Sequence, residues 1–254
     1  MGKTRMAETS MLPVRQAFLI AYMTGVLWLR RNPMSLVFTA ISPFSLLFVL
    51  FIISNGQYVD FAVAGSLVMA LVGYGLALGQ DISFYKTEYK VQDVFVASPV
   101  SPLTYMMGLA LSELLFGLPA LIVLASLVVL SGASIFSIPL LAATILLIWG
   151  SMSAMGFFLS SHMLHMRNAT QVISFVNVIL AILPPVFYSI DRMPDILRPL
   201  AYAMPTTHAS LILQYVMNDK TPEEWSLVFG FGVLIAYLIG FVALAKTKAI
   251  WRES

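Results

Sequence analysis

Charged and apolar residues alternate along this chain in long blocks rather than at short intervals, and six of the apolar blocks are long enough to matter. Residues 34–53 (MSLVFTAISPFSLLFVLFII) carry no charge and one proline, Pro43. Residues 61–80 form the second block, and residues 103–130 the third, broken only by Glu113. Residues 138–160, 171–189 and 226–245 complete the set. About 20 apolar residues in a helix cross the roughly 30 Å of hydrocarbon in a bilayer. A span in lipid must also satisfy its own backbone hydrogen bonds, so each block is expected to be helical. The pattern predicts an all-α, polytopic membrane protein with six transmembrane helices in a single transmembrane domain over residues 1–254.

A seventh apolar stretch, Ala17–Leu29, lies between Arg15 and the pair Arg30 and Arg31. At 13 residues it is too short to span, so residues 1–33 read as a cytoplasmic N-terminus with an interfacial helix on the membrane, stopped at Asn32-Pro33. No small-residue cleavage site follows, which argues against a signal peptide.

Composition sharpens this picture. Of 254 residues, 59% are hydrophobic and 10% charged, with a mean hydropathy of +0.90. A soluble domain averages about 25% charged residues, so a soluble enzyme, a disordered chain and a nucleic-acid-binding module are excluded. With no cysteine there is no disulfide, thiolate metal site or cysteine nucleophile. Basic residues fix the orientation, because lysine and arginine accumulate in cytoplasmic loops. Lys3, Arg5, Arg15, Arg30, Arg31, Lys86, Lys90, Arg167, Lys246, Lys248 and Arg252 fall on one side. Arg192, Arg198 and Lys220 fall on the other. Both termini, including the tail 246–254, are therefore expected in the cytoplasm of a multi-pass protein of the cell membrane.

Two connections hold most of the polar material. On a helix through residues 81–102, Lys86, Lys90 and Asp93 would form a charged stripe at i, i+4 and i+7, with Phe84, Val91 and Phe95 opposite and Glu88 an exception among them. Such a helix can lie on the membrane surface or dock a cytoplasmic partner. The external segment 190–225 is too apolar for a plain loop, and Pro194, Pro199 and Pro205 cut it into pieces. With Pro184-Pro185 before it, the segment predicts short re-entrant helices between spans five and six.

These features resemble the membrane subunit of ABC-2 type ABC transporters, a permease family that includes drug, polysaccharide and lipid exporters. The stretch PPVFYSIDRMPDILRPLAYAMPTTH (184–208) carries the family's aromatic run at Phe187-Tyr188, its external turn at Pro194, a helix at 196–202, and a Pro-x-Thr helix start at Pro205-Thr206-Thr207. The junction FVASPVSPLTYMMG, with Ser98-Pro99-Val100-Ser101, is a second match. The resemblance implies pairing with a second permease copy, identical or related, and with a cytoplasmic ABC ATPase that holds ATP and Mg; this chain would bind no cofactor and carry no catalysis. It further implies that segment 83–97 is the coupling helix, with Phe84, Lys86, Glu88, Lys90 and Asp93 at the ATPase contact. The turn with His162, His165 and Arg167 would be a second contact. A Walker P-loop is missing: Gly2-Lys3-Thr4 has no upstream glycine.

Individual residues leave alternatives open. Glu113 is the only acid inside an expected span; it either couples the cytoplasmic helix to span movement or bonds a neighbouring helix. Gly75 and Gly79 form a GxxxG, and Gly150, Ala154 and Gly156 line span four, fitting packing within one subunit or a dimer seam. Asn177, Phe187 and Tyr188 are candidates for a substrate path. His208 either caps structure or meets substrate, and a metal site at His162 and His165 is disfavoured because no acid lies near them. The expected cargo is lipophilic: drug-like, lipid or lipid-linked glycan, moved outward. The competing function is a secondary transporter or channel not driven by ATP, against which stand one buried acid and no clear inverted repeat. An intramembrane enzyme would need a base at depth, and no histidine occupies an expected span.

Overall fold

The computed structural model describes residues 13–163, 165–218 and 224–249, all helical or irregular, with no strand among them. Helix α1 runs from 13 to 31 with one wide π turn at Tyr22–Val26. It stops at Asn32 (φ −131°, ψ 64°) because a residue before proline is kept out of the helical region. Then come α2 (Met34–Ile53), α3 (Val59–Thr87), the short α4 (Val91–Val96) and α5 (Pro102–Leu130). After a 3₁₀ turn, α6 (Ile138–Ser161), α7 (Met166–Ile182), α8 (Arg198–Tyr202), α9 (Pro205–Asn218) and α10 (Glu224–Lys248) follow. Lys3, Arg5, Lys220 and Arg252, used above for orientation, lie outside the described residues.

Five of these helices, α2, α3, α5, α6 and α10, are long and apolar enough to cross a membrane. The remaining expected span is displaced. Helix α7 has 17 residues, begins five residues before Gln171 and ends seven before Ser189, because Pro184 and Pro185 forbid its continuation. Beyond it, residues 183–197 are irregular apart from the 3₁₀ turn Ile190–Arg192.

Helix α3 is the centre of the bundle, touching α2, α5, α6, α7 and α9. Its closest partner is α6, which runs parallel to it: a β-carbon at Gly75 would lie 2.5 Å from Met152 Cβ, and one at Gly79 would lie 2.7 Å from the Gly156 carbonyl oxygen. Ser160 Oγ donates to the Gly79 carbonyl one turn on. Small residues let membrane helices approach this closely. The GxxxG therefore builds a seam inside the protomer, which corrects the alternative of a dimer seam at these two glycines. Two buried apolar clusters result. The larger centres on α3 and takes in α5, α6, α7, α9 and α10. The smaller, with Ile20, Ile82, Tyr105, Leu109 and Phe157, ties α1 to the ends of α3, α5 and α6.

Helix α1 packs along α5. Ile20 meets Gly108, Gly25 meets Ser112, and the rings of Trp28 and Phe116 meet edge to face at 5.3 Å. Eight residues of α1 thus keep step with eight of α5, so α1 runs beside the first turns of α5.

Candidate functional site

Three cavities follow one another along the groove between α2 and α3. The first, about 290 Å³, lies where α2 ends and α3 begins, with Ile53, Tyr58, Phe61, Tyr188 and Arg192 in its wall. The second, about 680 Å³, is bounded by Ser42, Pro43 and Ser45 of α2, by Ser66, Met69 and Tyr74 of α3, and by Glu113 and Asn177. The third, about 270 Å³, lies between Thr24 and Trp28 of α1, Ser35 of α2, and Asp81, Phe84 and Tyr85 of α3. Phe187 belongs to the first and second cavities, and Thr39 and Glu113 to the second and third. From Tyr58 to Tyr85 the groove follows about 40 Å of helix, the depth of a bilayer with its headgroups.

The middle cavity owes its shape to one proline and two glycines. Pro43 has no N–H to give to the carbonyl four residues back. That carbonyl, Thr39 O, accepts instead from the Tyr74 hydroxyl at 3.0 Å. The Tyr74 ring fits against α5 because Gly117 has no side chain there. One tyrosine thus joins three helices around the cavity. At its far end the Phe187 ring lies over Gly65, where any β-carbon would collide with it.

Asn177, Phe187 and Tyr188, the three candidates for the path, all line the groove, Asn177 in the middle cavity and Tyr188 in the first. Sequence reasoning missed the polar row on α2: Ser35, Thr39, Ser42 and Ser45 recur at helical spacing within an otherwise apolar span. That periodicity was the available signal. The structure also gives Glu113 an acidic neighbour. Helix α3 runs on past Gln80 to Thr87, so Asp81 lies within it, and Asp81 and Glu113 line the same cavity. Glu113 is buried, 11 residues into α5, while Asp81 is half-buried at the rim.

The expected docking residues are split by a break. Phe84 and Lys86 close α3; Glu88, Tyr89 and Lys90 form an exposed bend; Asp93 is exposed on α4. Lys90 has a left-handed backbone (φ 52°), so Lys86, Lys90 and Asp93 form no continuous helical stripe, correcting that expectation. The bend is held from below. Phe84 and Tyr89 meet edge to face at 4.7 Å, and Phe95 lies 4.9 Å from Tyr105 in the smaller core cluster. Ser98 Oγ donates to the Phe95 carbonyl at 2.7 Å, and Ser101 Oγ caps α5 by accepting from Thr104 N at 3.1 Å. The Ser-Pro-Val-Ser-Pro junction is thus a pair of helix caps. His162, His165 and Arg167 are exposed around the turn before α7, and the His162 ring packs edge to face on Phe158. No group of residues able to hold a metal occurs among the described residues.

At the opposite end the Pro-Thr-Thr-His segment is a clasp. Thr206 Oγ1 donates to Leu180 O at 3.3 Å, Thr207 Oγ1 to Ala201 O at 2.6 Å, and His208 Nε2 to Tyr202 O at 2.7 Å. These bonds hold the start of α9 to carbonyls at the ends of α7 and α8. Burial pulls the His208 pKa below its ordinary value against the opposing carbonyl bond, so the ring is neutral and donates from Nε2. Nearby, Arg192 donates to Tyr58 Oη at 2.7 Å, and Arg198 pairs with Asp195 at 2.9 Å.

No curated protein matches the chain. The family described as ABC-2 type transporter matches over residues 5–218, which takes in the groove, the bend at 88–90 and the threonine clasp. A bundle of membrane-crossing helices, opened by a groove of bilayer depth and matched over most of its length by that family, identifies the chain as a member of the ABC-2 type transporter family, a multi-pass membrane permease that serves as a transport subunit.

Proposed function

We propose that the chain is the permease subunit of an ATP-driven exporter, with both termini in the cytoplasm of the cell membrane. Its substrate path follows the α2–α3 groove. A cytoplasmic ABC ATPase hydrolyses ATP with Mg and docks on the bend at Glu88, Lys90 and Asp93, with Phe84 and Lys86 behind it and the turn at His162, His165 and Arg167 beside it. The observation that carries this reading is the succession of three cavities sharing Phe187, Thr39 and Glu113. Movement of the bend has a physical route to the groove: Phe95 is seated on Tyr105 of α5, the helix that carries Glu113. A second copy, identical or related, closes the open side along α2, and the cargo is a lipophilic or amphipathic drug-like molecule, lipid or lipid-linked glycan.

The chain has no cysteine, so single-cysteine labelling needs no background removal. Ser45→Cys and Ala77→Cys should react with a water-soluble thiol reagent, and ATP should change the rate when the ATPase is present. Silence at both positions would sink the path. Co-purification of a Walker-type ATPase should be lost when Glu88, Lys90 and Asp93 are replaced by alanine.

The Asp81–Glu113 pair favours one competing reading, a carrier coupled to an ion gradient, since intramembrane carboxylates mark proton and ion routes. Transport that persists without any ATPase and follows a pH gradient would establish it.

A further inference from the structure

The third cavity has a chemistry that the lipophilic path does not require. Its wall places two carboxyls, Asp81 and Glu113, among the rings of Trp28, Phe84, Tyr85 and Phe116. The aromatic groups come from three different helices, and Trp28 and Phe116 meet edge to face, so the faces are fixed by packing. Trp28 follows the π turn of α1, and such wide turns recur at functional sites. No lysine, arginine or histidine lines this cavity or the middle one among the described residues. Two neighbouring carboxyls with no basic side chain in either wall leave a bound cation as the partner for their charge. Carboxylates among aromatic faces recognise a cation that cannot itself be strongly hydrated, through charge and the negative faces of the rings.

The adjoining middle cavity supplies the rest of a ligand site. It is apolar along Met69, Ala70 and Leu46, and at its far side Ser66 Oγ is buried, 1% exposed, with no hydrogen-bond partner. The two cavities share Thr39 and Glu113 and together match the size of drug-sized binding sites, roughly 300–1,000 Å³.

We propose that the joined cavities bind an amphipathic organic cation, its charged nitrogen against Asp81 and Glu113 within the aromatic walls and its apolar body in the middle cavity toward Ser66. This rests on the groove being the substrate path and narrows the cargo to one charge class.

The test uses the full chain in lipid nanodiscs, with its ATPase where one co-purifies and empty nanodiscs as the blank. The probes are ethidium, a permanent aromatic cation, and phenanthridine, the uncharged ring system it is built on. Wild-type protein should bind ethidium more tightly, and Asp81→Asn with Glu113→Gln should cost ethidium about tenfold or more while moving phenanthridine by less than about twofold. Trp28→Leu, which leaves the carboxyls in place, should cost ethidium about fivefold. Ethidium binding unchanged in the double variant, or no ethidium binding to the wild type, overturns the proposal. An equal fall for both probes also overturns it and leaves the path standing. Loss of the path itself would show separately, as unreactive cysteines at positions 45 and 77.

Discussion

Helices α2 and α3 lie side by side and are both apolar, yet they live in different surroundings. Within α2 none of the span is buried inside the protomer, and Phe38, Ile41 and Phe48 face outward. Within α3, 78% of the span is buried, with Leu67, Leu71, Leu76 and Leu78 fully enclosed. The exposed helix is the more hydropathic of the two. In water the most apolar helix goes to the core; in lipid the tails are as apolar as leucine, so hydropathy decides whether a helix crosses and small residues decide where it packs. Helix α3 is central because Gly65, Gly75 and Gly79 let Phe187 and α6 come close.

The comparison can be broken by putting bulk into the seam. Gly79→Leu should have the largest effect, on the order of 3 kcal/mol or loss of the folded state, read by thermal unfolding in detergent. A stable Gly79→Leu protein would show that α3 is not locked to α6. Leu76→Ala comes next, at about 3 kcal/mol for a fully enclosed leucine. Tyr74→Phe should cost about 1 kcal/mol by orphaning the Thr39 carbonyl. Adding Pro43→Ala restores an N–H for that carbonyl, so the double variant should be less unstable than the two single effects summed. Phe48→Ala on α2 should stay within about 0.5 kcal/mol if lipid covers it. A loss near that of Leu76→Ala would mean that another protein chain covers α2, which sharpens the comparison into a map of the partner's footprint.

The all-helical, multi-span character was legible because unbroken apolar runs have few other solutions. Helix ends were less so. Hydropathy closes a span at the first charge, so it ended span two at Gln80, whereas the hydrogen-bond ladder of α3 continues through Asp81 to Thr87. For the same reason the carboxyl pair was invisible: Glu113 was seen alone because its partner had been assigned to a loop. The break at Lys90 went unseen, since a left-handed lysine has no sequence signature comparable to Gly or Asn. Asn177, Phe187 and Tyr188 could be picked out as polar or aromatic residues in an apolar setting. Ser42 and Ser45, equally placed, were passed over because serine is unremarkable in a membrane helix unless its period is counted.

The bond from Tyr74 to the carbonyl freed by Pro43 has a consequence for sequence drift. While the proline stands, the tyrosine cannot become phenylalanine without stranding that carbonyl, yet both can change together to a plain helix with a phenylalanine beside it. Among descendants of this chain the two positions should therefore travel as a pair, while Phe38 and Phe48 on the same helix wander freely among apolar residues. Two neighbouring turns of α2 would then evolve at different tempos, set by a single hydroxyl on the helix next door.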